Sequence, residues 1–114
     1  MLGTFDVGTN PFGVAFDGAN TWVANNSSNN VTKLRASDGT LLGTFGVGPS
    51  PQRLAFDGAS IWVANAGSHT VTKLRARDGR LLGSFPTGTA PLGVAFDGAN
   101  IWVTCWTSSS LSKL

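Results

Sequence analysis

Apolar positions along this chain fall into short runs at strand spacing. In its middle third the runs are Leu41–Phe45, Arg53–Phe56, Ile61–Ala64 and Val71–Arg75, rich in β-branched and aromatic residues, and each is predicted to be a strand. Turn signals separate them. Gly46–Pro51 precedes the second run, Asp57-Gly58 follows it, Asn65–Thr70 follows the third, and Asp78-Gly79 closes the set. Asp-Gly suits tight hairpins because Gly tolerates positive φ and Asp bonds its own backbone. No stretch carries the 3.6-residue periodicity of an amphipathic helix.

The same set recurs. Phe16, Phe56 and Phe96 lie 40 residues apart, as do Trp22, Trp62 and Trp102, and Lys33, Lys73 and Lys113, so three copies of one unit make up the chain. Units of this length cannot bury their own apolar surface and must stack on a neighbour. Within a strand both sides are apolar: Val14 and Phe16 share one side with Ala15 on the other, and Trp22 alternates with Val23. Each small sheet is therefore expected to be covered on both faces. The predicted fold is all-β, a β-propeller with three four-stranded antiparallel blades per chain. A leucine-rich horseshoe needs about 20–29 residues per unit and a regular leucine ladder, which this sequence does not follow.

The stretches PFGVAFDGANTWVAN and VTKLRASDGTLLGTF resemble the repeats of streptogramin lyase-like and YVTN-type bacterial propellers, relatives of the NHL-type blade, over essentially all of residues 1–114. That resemblance implies a strand order from A, innermost, to D, outermost. On it Met1–Phe5 aligns with Leu41–Phe45 as a D strand, residues 11–45 and 51–85 each hold A, B, C and D, and residues 91–114 hold A, B and C. The turn equivalent to Arg35–Thr40 is absent from the third unit, so the first strand of one chain is expected to complete the last blade of another. Leu2 and Phe5 on one side and Leu111 and Leu114 on the other are the expected closure residues. Propellers typically contain 4–8 blades, which favours a homodimer closing as a six-bladed ring, with a nine-bladed trimer as the alternative.

Composition adds few constraints. No apolar run approaches the ~20 residues that span a bilayer, and no secretory signal opens the sequence, so a soluble subunit of unknown location is expected. One cysteine, Cys105, excludes an intrachain disulfide. The net charge is +2, and the basic residues Lys33, Arg35, Lys73, Arg75, Arg77, Arg80 and Lys113 gather on strand C and the turn after it. Aromatics lie on other strands, so this belt reads as protection of outer strands from edge pairing rather than a nucleic-acid groove.

Candidate chemistry is sparse. Asp17, Asp57 and Asp97 recur in register, but radial symmetry sets them on separate blades, where they serve turns better than a shared cation. Streptogramin lyases use histidines, a glutamate and magnesium; this sequence has no glutamate and one histidine, so that activity does not carry over. No catalytic residue, metal or cofactor is expected. The D–A and B–C loops share one face around the channel mouth, a surface of amides, hydroxyls and glycines. There Arg53, which replaces Gly13 and Gly93, together with His69, Trp106, Asn25 and Asn65, is the candidate set for a small polar ligand or a peptide. The expected function is a non-enzymatic, self-assembling scaffold. A carbohydrate- or peptide-binding module is the alternative, with a lyase disfavoured.

Overall fold

The computed structural model describes residues 2–114 and contains eleven strands in three antiparallel sheets. In the first blade β1 (Pro11–Phe16), β2 (Asn20–Asn25), β3 (Asn30–Arg35) and β4 (Leu41–Gly46) pair in chain order. The second blade repeats this with β5 (Pro51–Phe56), β6 (Ser60–Asn65), β7 (Thr70–Arg75) and β8 (Leu81–Pro86). The third holds β9 (Pro91–Phe96), β10 (Ile101–Cys105) and β11 (Ser110–Lys113). No helix among the described residues is long and apolar enough to cross a membrane.

Local chemistry explains the hairpins. Asp17 Oδ1 accepts the backbone N–H groups of Ala19 at 3.0 Å and Asn20 at 2.7 Å, and Gly18 takes φ +101° between them. The same carboxylate uses Oδ2 to accept the Trp22 indole N–H at 2.8 Å, so the turn residue also orients the first large side chain of the next strand. Asp57 with Trp62 and Asp97 with Trp102 repeat the arrangement at 2.8 and 2.7 Å. The second hairpin of a blade uses Asp38 and Asp78, which accept the N–H of Thr40 and Arg80 and pair with Arg35 and Arg75 three residues upstream.

The core lies between blades. Trp22, Ala24 and Val31 from one face of the first blade pack with Leu54, Ile61, Val63 and Leu74 from the opposing face of the second. Trp62, Ala64 and Val71 of the second blade meet Ile101, Val103 and Cys105 of the third in the same way. Alternation along each strand therefore feeds two different cores, as the two-sided apolar pattern implies. Within a blade the outermost strand adds a lid: the Phe45 ring lies 5.7 Å from that of Trp22, and Phe85 lies 5.7 Å from Trp62.

Two expectations need correction. Leu2–Phe5 is not a strand, because this chain has no free strand-C edge beside it; Met1 lies outside the described residues. The Phe5 ring lies over Gly39 of the first blade, as Phe45 lies over Gly79 of the second. The third blade is three-stranded, so the array holds two four-stranded sheets and one three-stranded sheet.

Candidate functional site

The candidate ligand residues divide by position. Asn25 and Asn65 close β2 and β6, and both are fully buried. The Asn25 amide donates to Thr32 Oγ1 at 2.8 Å and Asn30 Oδ1 at 2.9 Å; that of Asn65 donates to Thr72 Oγ1 at 2.7 Å. They hold strand B to strand C and present nothing to solvent, contrary to their expected ligand-facing role. Among the described residues their Oδ1 atoms have no hydrogen-bond partner, a cost the neighbouring bonds must offset. In the third blade Cys105 takes this position, buried, with its Sγ 3.6 Å from Ser112 Oγ.

His69 is a strut. It stands at φ +58° in the turn between β6 and β7, and its Nδ1 accepts the Ala90 N–H at 3.0 Å. Asn29 does the same in the first blade, accepting the Ser50 N–H at 3.0 Å. The B–C turn of one blade thus fixes the connector that enters the next, and His69 substitutes for an amide acceptor.

Arg53 is exposed on β5 and its Nη1 lies 3.4 Å from the Phe12 carbonyl oxygen of the neighbouring inner strand. Gly13, its counterpart, has no room for a side chain: a Cβ there would stand 2.6 Å from the Gln52 carbonyl oxygen and 2.8 Å from Arg53 Cα. Innermost strands approach this closely because blades converge toward the axis. Trp106 is exposed in the turn between β10 and β11, at 73%.

An arrangement that sequence reasoning missed lies on the other side of the blades. Lys33, expected among the exposed belt, is buried; its Nζ sits 5.1 Å from the Trp22 ring centroid and donates to the carbonyls of Ala76 at 2.9 Å and Arg77 at 3.2 Å in the next blade. The recurring Trp-Lys pair, eleven residues apart, was the signal. Antiparallel pairing of β2 with β3 sets Trp22 opposite Lys33, which turns that spacing into a cation–π contact. Lys73 over Trp62 and Lys113 over Trp102 repeat it at 4.9 and 5.3 Å. Beside this contact a groove between the first two blades is lined by Asp17, Asn20 and Lys33 from one blade and Phe56, Ala59 and Ala76 from the other. Phe16, Ala19 and Ala36, the counterparts of that second set, line a half-groove on the open side of the first blade.

Carboxylates in these turns are more acidic than usual. Burial pushes Asp57 up, but the Trp62 indole and the Ala59 and Ser60 amides outweigh it and its pKa falls. The exposed Asp97 is drawn down to about 2 by the Trp102 indole and the Asn100 and Ala99 amides. Among the described residues no group of three or more His, Cys, Asp or Glu side chains is placed to hold a metal ion.

Similarity to known proteins lies in the structure. No family model matches the sequence. No curated protein matches it. Among solved structures the chain superposes on a hydrazine synthase from Kuenenia stuttgartiensis with a TM-score of 0.86 and 24% identity, over 97% of this chain and 34% of that one. It matches a catalytically inactive virginiamycin B lyase from Staphylococcus aureus with quinupristin at a TM-score of 0.81 and 19% identity, over 96% of this chain and 39% of that one. A functionally unknown protein from Desulfotomaculum acetoxidans matches at a TM-score of 0.80 and 21% identity, over 98% of this chain and 43% of that one. The fold is that of a streptogramin-lyase-like β-propeller fragment. The chain spans between 34 and 43% of the length of these three structures.

Proposed function

We propose that this chain is a non-enzymatic propeller array that assembles head to tail with copies of itself into a closed ring, two copies giving six blades, and serves as a scaffold or binding platform. One observation carries the reading: the two open faces are the two halves of the interface that the chain already forms twice internally. Trp22 and Val31 are fully buried by the next blade, whereas their third-blade counterparts Trp102 and Leu111 are half-buried and 57% exposed. On the opposite side Leu54 is 7% exposed and its first-blade counterpart Val14 is 65% exposed. Repeats make such faces complementary, and a head-to-tail contact closes when the rotation permits.

Polar groups extend the match. By the pattern of Lys33, Lys113 of one copy would donate to the Ala36 and Ser37 carbonyls of the next, and Asp97 and Asn100 would complete the half-groove. Phe5, held over Gly39, would supply the outer ring that Trp102 lacks. Leu2 and Leu114 would add to this seam. The absence of catalysis is supported by a sequence without glutamate and by a single histidine already engaged with Ala90. A second reading, a small polar ligand or peptide at the channel mouth, is favoured by the exposure of Arg53 beside the axis; binding that Arg53→Gly abolishes would support it.

Placing a charge on either open face tests the assembly. Val14→Asp or Leu111→Asp should release folded monomers in sedimentation velocity, while Leu42→Asp, on the outer strand β4, should leave the assembly intact. Equal behaviour of the three variants would overturn the reading. Three copies in place of two would mean nine blades.

A further inference from the structure

The exposed Trp106 has a destination in the repeat. Its counterpart in the first blade is Asn26, whose Nδ2 donates to the Pro51 carbonyl oxygen at the start of the second blade, 3.2 Å away. In the second blade the counterpart is Ala66, and Pro91 occupies the corresponding place in the third. Pro51 and Pro91 are fully buried, yet Pro11, at the same position in the first blade, is exposed. The surroundings within each blade are alike. Pro11 pairs with Asn25 as Pro51 pairs with Asn65, and the amide N–H groups of Asn26, Ala66 and Trp106 all donate to the residue before the proline, Asn10, Ser50 and Ala90. Among the described residues no blade precedes the one that holds Pro11. The face of a preceding blade available in this chain is that of the third, and the residue it brings to this point is Trp106.

We infer that Trp106 of one copy packs against Pro11 of a second copy, and that this pair is the specificity-determining contact of the seam between chains. The inference rests on the head-to-tail reading above. Chemistry favours the pairing: a proline ring is flat, apolar and rigid, and an indole covers it without a large ordering cost, whereas neither Asn26 nor Ala66 offers comparable area. Aromatic anchors surrounded by a polar rim dominate the energetics of such contacts. Here the rim is Thr107, Ser108 and Ser109, with Ser27 and Ser28 of the facing copy. The two internal seams use small or polar groups at this point, so the inter-chain seam is chemically marked, and the third blade of one copy selects the first blade of another.

A double-mutant cycle on the dissociation constant of the assembly, measured by sedimentation velocity, tests the pair. Trp106→Ala and Pro11→Ala should each raise the constant about tenfold or more, and the double variant should fall short of the product of the two by at least fivefold. Trp106→Phe should retain most of the affinity and act as a folding control. Multiplicative effects in the double variant, or an assembly indifferent to Trp106→Ala, would overturn the Trp106–Pro11 contact while leaving the ring standing. An unmodified protein that stays monomeric at every concentration would overturn both.

Discussion

Lys33 Nζ donates to the Ala76 carbonyl oxygen across the first seam between blades, at 2.9 Å, while lying over the Trp22 ring. Among the described residues no carboxylate pairs with this buried ammonium; two carbonyl dipoles and an aromatic face replace its hydration.

Lys33→Met should therefore leave the Ala76 and Arg77 carbonyls without their donor and cost about 1–3 kcal/mol in chemical denaturation. Lys73→Met removes its contact with the Trp62 ring and its attraction for the Asp57 carboxylate, both within one blade, and should cost about 1 kcal/mol or less. Equal costs for the two variants would mean that the seam bonds contribute nothing.

Acid should loosen the hairpins in a defined window. A carboxylate whose pKa is lowered by folding contributes stability above its unfolded value, about 3.9, and loses it as pH falls through the folded value. For Asp97 that loss runs from about pH 4 down to about 2, and Asp17 and Asp57 act in the same direction. Urea midpoints measured between pH 6 and 2 should fall over that range, and Asp97→Asn should flatten part of the decline.

Gly79 stands at φ +77° with the Phe45 ring against the place a Cβ would occupy, whereas Gly18, at φ +101°, has open space there. Gly18→Ala should cost only the left-handed backbone penalty, about 1–2 kcal/mol. Gly79→Ala adds the displacement of Phe45 from its place between Trp22 and the next blade, about 1–3 kcal/mol more. Thermal melts of the two variants separate these terms.

Phe5 is 52% exposed in the single chain, and its ring folds over Gly3 as Phe45 folds over Gly43. The segment thus already has the local shape of an outer strand. Phe5→Ala should raise the dissociation constant of the ring about tenfold or more, since burying a phenylalanine contributes about 1.5–3 kcal/mol. Deleting residues 1–5 should weaken it further and promote open or aggregated species.

The blades were legible because the 40-residue period and the Asp-Gly turns are written into consecutive residues: Ile61–Ala64, read as a strand, is Ser60–Asn65 in the structure. The two-sided apolar pattern of Val14, Ala15, Trp22 and Val23 likewise announced two cores. What escaped were pairings between elements. Asn25 and Asn65 looked like loop amides, but their burial depends on Thr32 and Thr72 across the hairpin. Lys33 looked like a solvated charge, and its acceptors lie 43 and 44 residues away in another blade. His69 carries no sequence mark of its bond to Ala90, which arises from its left-handed backbone and the course of the next connector.

The mass of the intact assembly under native conditions is the most direct test of the head-to-tail ring. One chain weighs 11.8 kDa, so closure of two copies gives a single species of twice that mass, persisting on dilution to low micromolar concentration. A stable 11.8 kDa species with folded β-sheet at tens of micromolar would contradict it.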